Sequence, residues 1–241
     1  MLSRFDVLRV TTFTKRYGNL TALSDVSFSI REGEVLGLIG PNGSGKTTLF
    51  ECLGGVLPAD GGALLRGDRP LTSGERVASV FYLPDSIVPW PTEPVRWAID
   101  FTIGFFGGRS EIRGEVVQRL GLEPLLDSPI WTLSKGQRKR ALLAIGLLMP
   151  QPVLMADEPF EGLDLRQTRE VALALRAFAG AGRTMVLSIH QISDAARVCD
   201  RFVLLSGGRA CGEGTLEELS ALAAPRGAAS SSLEDIFLAL T

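Results

Sequence analysis

The run Gly40-Pro41-Asn42-Gly43-Ser44-Gly45-Lys46-Thr47, followed by Thr48, spaces its glycines, lysine and hydroxyl as G-x-x-x-x-G-K-[ST]. A triphosphate calls for this pattern because several backbone N–H groups must converge on its oxygens, and glycines allow the unusual φ and the close approach. Lys46 then offers a charge to the outer phosphates, and Thr47 offers a hydroxyl to Mg²⁺. The helix that opens at Lys46 adds unpaired N–H groups and a partial positive charge. By itself the loop says only nucleotide, since kinases, GTPases, motors and transporters share it.

Further along, Val153-Leu154-Met155-Ala156-Asp157-Glu158 is an apolar run that ends in two acids. Ligands of open parallel sheets gather at the carboxyl ends of strands, so the pair stands where a nucleotide would lie. Asp157 would hold Mg²⁺ through oxygen contacts, and Glu158 would orient and polarise an attacking water. Such a pair can also be purely structural; its weight here comes from the phosphate loop upstream. Between the two lies Leu133-Ser134-Lys135-Gly136-Gln137, ahead of a strongly apolar helix. It reads as a helix cap with Ser134 as the capping hydroxyl, as an anion site, or as both, since the same unpaired N–H groups serve each.

Positioning these groups requires strands that end where helices begin. Strands are predicted over Val7–Val10, Ala22–Ile30, Val35–Ile39, Val80–Leu83, Val153–Asp157, Met185–Ile189 and Phe202–Leu205. Helices are predicted over Lys46–Leu53, Val95–Phe106, Ser110–Leu120, Gly136–Met149 and Leu233–Leu240. The runs at 35–39, 153–157 and 185–189 are almost wholly apolar, as expected of central parallel strands covered on both faces. The expected fold is therefore α/β with a mostly parallel sheet. Pro84, Pro89, Pro91 and Pro94 open a stretch of different texture, which reads as a helical insertion over residues 85–150. Pro225–Ser232 reads as a short linker within a C-terminal tail, residues 225–241.

The composition fits one folded chain of 241 residues, 45% hydrophobic and 22% charged. A net charge of -2 gives no broad attraction to nucleic acid or anionic lipid, and no nucleic-acid partner is expected. The longest apolar runs, Ala141–Met149 and Ile99–Phe106, fall short of the roughly 20 residues that span a bilayer. Residues 1–6 lack the pattern of a secretory signal. The expected place is the cytoplasm, with attachment to the inner face of the membrane through a partner. Cys52, Cys199 and Cys211 read as reduced thiols.

The order of Gly40–Thr47, Leu133–Gln137, Val153–Glu158, Glu161-Gly162-Leu163-Asp164 and then His190 resembles the ATPase domains of ABC transporters along nearly the whole chain. The resemblance implies a P-loop NTPase fold: a RecA-like core over residues 1–84 and 151–224, with an antiparallel β subdomain, and the helical insertion. It implies two ATPase subunits, identical or closely related, meeting head to tail around two ATP molecules with Mg²⁺. Ser134, Gly136 and Gln137 would then face the phosphates held by the other subunit's Lys46. Tyr17 would stack on adenine, Asp164 would link the two sites, and His190, the single histidine of the chain, would contact the γ-phosphate and steady Glu158. A membrane permease on a separate chain would be the driven partner.

Two positions depart from the family pattern. Asp85 stands where a glutamine normally touches Mg²⁺ and water, and its shorter side chain would reach the metal through water. Lys135 replaces the first glycine of the signature, while Gly136, which carries the important N–H, remains. Both features, with the tail Ser232-Leu233-Glu234-Asp235-Ile236-Phe237, resemble export-type members, so export of a drug, lipid or other small compound is expected. Two other readings are a cytosolic ABC ATPase acting on nucleic acid or ribosomes, and a small-molecule kinase. The first usually brings long coiled coils or a second ATPase module, and the second leaves Leu133–Gln137 without a purpose.

Overall fold

The computed structural model describes residues 6–226, 228 and 232–241. It opens with an antiparallel hairpin of β1 (Asp6–Tyr17) and β2 (Leu20–Arg31), and then β3 (Val35–Ile39) runs into α1 (Lys46–Leu53). β4 (Gly61–Arg66), β5 (Arg69–Pro70), α2 (Ser73–Ser79) and β6 (Val80–Leu83) follow. Three helices come next, α3 (Val95–Phe106), α4 (Arg113–Arg119) and α5 (Lys135–Leu148). The chain then alternates through β7 (Val153–Asp157), α6 (Leu165–Gly180), β8 (Thr184–Ile189) and α7 (Ile192–Val198). β9 (Arg201–Ser206), β10 (Arg209–Gly214), α8 (Leu216–Ala223) and α9 (Leu233–Leu240) complete it.

Two sheets form. The larger has the order β10-β9-β3-β8-β7-β6, parallel except for its edge strand β10, and the smaller is antiparallel, β2-β1-β4-β5. Because side chains alternate across a strand, each buried strand serves two cores. Val35 and Ile39 of β3 pack with the helices α3 to α7, whereas Leu36 and Leu38 pack toward α1 and the smaller sheet. The same alternation in β7 sends Leu154 and Ala156 to the helical side and Val153 and Met155 to the α1 side. By that period Asp157 falls on the α1 side. Helix α1 is thus held between the two sheets, with Leu49, Phe50 and Leu53 buried.

β3, β6, β7, α1, α3 and α9 fall where the sequence places them. β1 is longer than the predicted Val7–Val10, and Ser110–Leu120 divides into a short 3-10 turn, Ser110–Ile112, before α4. Neither β4 (Gly-Gly-Ala-Leu-Leu-Arg) nor β10 (Arg-Ala-Cys-Gly-Glu-Gly) has the composition of a strand. Pairing along β1 and β9 decides both, overriding weak local preference. Residues 1–5 and, within the expected linker, 227 and 229–231 lie outside the described residues. Among the described residues no helix is long and apolar enough to cross a membrane.

Candidate functional site

β3 delivers the chain into the loop of Gly40–Gly45 at the carboxyl edge of the larger sheet. Gly43 and Gly45 have φ of +80° and +104°, backbone that L side chains rarely adopt. A Cβ on Gly40 would lie 2.3 Å from the Leu205 carbonyl oxygen, so this approach also demands glycine. Gly208 braces the loop from behind, donating its N–H to the Ser44 carbonyl at 3.0 Å, while its own carbonyl accepts from Ser24 N–H at 2.8 Å. Helix α1 begins at Lys46 with no side chain capping its N–H groups. The Ser44 hydroxyl is buried with no hydrogen-bond partner among the described residues. Uncapped donors, an orphaned hydroxyl and a glycine cradle fit an anionic phosphate chain.

Lys46 is buried and donates to the Gly40 and Pro41 carbonyls at 2.8 and 3.2 Å. Burial pushes its ammonium below the ordinary lysine value, and the charges of Glu158 and Asp157 oppose that shift. Glu158 Oε1 lies 4.0 Å from the Lys46 Nζ.

The metal side of the cleft follows from strand register. Asp157 pairs directly with Ser188 of β8, and both face α1. Thr47 Oγ1 donates to Asp157 Oδ2 at 3.0 Å, and Ser188 Oγ donates to Asp157 Oδ1. The Tyr82 hydroxyl approaches Asp157 Oδ2 at 3.5 Å. A hydroxyl beside a carboxylate is oxygen chemistry suited to Mg²⁺. Among the described residues no group of three or more His, Cys, Asp or Glu could hold a metal alone, so the cation would complete its shell with phosphate oxygens and water.

Glu158 sits in the left-handed region at φ +46°, a conformation that costs a non-glycine residue about 1–3 kcal/mol and turns the chain sharply off β7. Its N–H donates to Ser188 Oγ at 3.1 Å, and its Oε2 lies 2.9 Å from His190 Nδ1. Ser188 therefore fixes both acids at once. Sequence reading passed over it, although a lone hydroxyl in the run Met-Val-Leu-Ser-Ile was the available signal. Ser188→Ala takes this partner from a buried carboxylate oxygen of Asp157 and from the half-buried Glu158 N–H. The expected cost is about 1–3 kcal/mol, read as a lower midpoint of thermal unfolding. An unchanged midpoint would show that neither group depends on this hydroxyl.

One cleft of about 760 Å³ gathers Tyr17, Asn42, Gly43, Gly45, Lys46, Thr47, Thr48, Asp85, Asp157 and Glu158. Tyr17 ends β1 on the smaller sheet and is 45% exposed, with the Lys15 ammonium over its ring at 5.5 Å from the centroid. Asp85, expected near the metal through water, lines this cleft and pairs with the buried Lys139, its Oδ1 2.5 Å from the lysine Nζ. Burial raises the Asp85 carboxyl, but the hydrogen bond and charge of Lys139 outweigh it and leave the group below its ordinary value.

The signature stands apart from this cleft. Ser134 caps α5, accepting from Gln137 N at 3.2 Å, while Gln137 Oε1 accepts from Ser134 N at 2.9 Å. Gly136 packs so tightly that a Cβ there would lie 2.9 Å from the Gly162 carbonyl oxygen. Asp164 caps α6, accepting from Gln167 N at 2.8 Å, and is exposed.

A family model described as ABC transporter matches residues 23–161. The probable multidrug ABC transporter ATP-binding protein YbhF of Escherichia coli K12 is 30% identical over 97% of this chain, which spans 41% of that relative's length. The Nod factor export ATP-binding protein I of Ralstonia nicotianae is 32% identical over 88% of this chain and 68% of its own length. Relatives named for import also match. Among solved structures, one described as the ATP-binding subunit of an ABC transporter superposes with a TM-score of 0.85 at 27% identity, covering 97% of this chain and 99% of that one.

Proposed function

Because this chain belongs to the ABC transporter family of ATP-binding proteins, we propose that it hydrolyses ATP between two copies of itself, or itself and a close relative, to drive a separate membrane permease. The observation that carries this reading is a division of labour on the surface. One cleft holds the phosphate loop, Asp157 and Glu158, while the signature lies outside it at the start of α5, with Ser134 exposed and Gly136 buried behind it. Half-sites of that kind are complete only when a second subunit supplies the missing donors.

In the proposed reaction the glycine loop and the N-terminus of α1 receive the phosphates, and Lys46 turns from the loop carbonyls to the outer ones. Thr47 and Asp157 would hold Mg²⁺, which when bound neutralises phosphate charge. Glu158, fixed by Ser188 and His190, accepts the proton of the attacking water and keeps it in line. Tyr17 offers its ring to adenine.

Export of a drug, lipid or other small compound is the proposed direction. The name of the Nod factor relative and the residues Lys135 and Asp85 support it. Attachment to the inner face of the membrane, through the permease, follows. The relatives named above are transporter components, and nothing here favours action on nucleic acid or ribosomes.

The proposed docking face lies in the helical insertion. On α3, Trp97, Phe101 and Phe105 stack in succession, centroids 4.9 and 5.1 Å apart, with Trp90 packed edge-on. Phe105 is 71% exposed, and such aromatic surface marks a partner site rather than a core. Replacing Trp97 and Phe105 together with serine is expected to cut the permease recovered with the chain from membranes by about tenfold or more, leaving ATP affinity unchanged. Full recovery would move the docking face elsewhere.

A further inference from the structure

Lys139 is a buried ammonium for which the chemistry above has no use. It lies on α5 one turn beyond the Ser134 cap, with its side chain 4% exposed. Its Nζ has three oxygen neighbours: Asp85 Oδ1 at 2.5 Å, the Asp85 carbonyl at 3.5 Å and the Asp157 carbonyl at 3.5 Å. The first two belong to the loop after β6, and the third to the peptide that joins Asp157 to Glu158. One side chain thus touches the wall of the triphosphate cleft, the strand end that carries both acids, and the helix that carries the signature. The neighbouring Lys135 is held separately, by Glu161 at 2.6 Å.

We infer that Lys139 is a positioning residue for ATP hydrolysis, neutralising Asp85 and holding the Asp157–Glu158 peptide in register with the signature helix. The inference rests on the proposed hydrolysis at Glu158. A buried pair broken from one side leaves an uncompensated charge, whereas removing both partners leaves none. Lys139→Met would strand the Asp85 carboxylate beside an incoming triphosphate and release the peptide that aims Glu158. Asp85→Asn with Lys139→Met removes both charges together.

Steady-state phosphate release and ATP affinity, measured on the parent, K139M, D85N and D85N/K139M, test this. K139M is expected to lose about 100-fold in kcat, as a displaced reacting geometry does, with KM for ATP within about threefold. The double variant is expected to be about tenfold faster than K139M, and faster than D85N, because the two positions couple. A merely structural lysine would lower the thermal midpoint of K139M while leaving kcat of the folded protein within about threefold of the parent. K139M turning over within about threefold of the parent overturns the inference, as does a double variant no faster than either single one. If K139M shows no cooperative thermal transition, D85N against D85N/K139M decides: a faster double variant supports the pairing, an equal or slower one overturns it. A parent that releases no phosphate removes the proposed function and this inference with it, whereas an active parent with unaffected variants removes only the inference.

Discussion

Glu158→Gln protein will bind ATP as tightly as the parent and turn it over about 10³-fold more slowly. The amide keeps the size of the side chain, and the strained backbone at residue 158 stays pinned by its N–H bond to Ser188. What disappears is the acceptor for the water's proton, 2.9 Å from His190. The triphosphate-facing loop loses nothing, so affinity holds while chemistry stops. The same variant with ATP and Mg²⁺, examined by light scattering, should have the mass of two chains, because bound nucleotide is no longer consumed and the completed half-sites stay closed. Phosphate release near the parent rate would remove Glu158 from its assigned place. A strictly monomeric mass at high concentration, with the permease present, would sink the two-subunit site.

Lys46→Met is expected to weaken ATP binding by about 100-fold, measured by titration of the purified protein. Without the ammonium, Asp157 and Glu158 face the incoming phosphates uncompensated. Folding should be affected much less than binding. Burial already disfavours the charged lysine in the ligand-free chain, and its hydrogen bonds run to two loop carbonyls rather than to structure beyond the site. A parallel loss of affinity and thermal stability would mean that Lys46 is a strut of the loop rather than its phosphate contact.

The parts of the site that lie close together in sequence were legible before any coordinates. Gly40–Thr47 and Val153–Glu158 each carry their strand, turn and chemistry in a few consecutive residues. What escaped depends on register between distant segments. Ser188 meets Asp157 only because β7 and β8 run parallel in one particular alignment. Gly208 reaches the phosphate loop from a turn that follows β9, and Lys139 meets Asp85 across 54 positions. A lysine in the basic run Arg138-Lys139-Arg140 reads as solvated, and only the packing of α5 under the β6 loop buries it. The helices α6 and α8 lie outside the predicted elements although both carry side-chain caps, at Asp164 and Thr215. The edge strands β4 and β10, rich in glycine, exist because a neighbour offers them a ladder.

Tyr17 and the phosphate loop belong to different sheets, with α1 between them. A molecule whose ring rests on one and whose charged end rests on the other works as a rivet through both layers. In the proposed reading, adenine and phosphate recognition are then coupled: loosening either layer would slacken the grip at the far end of the same ligand.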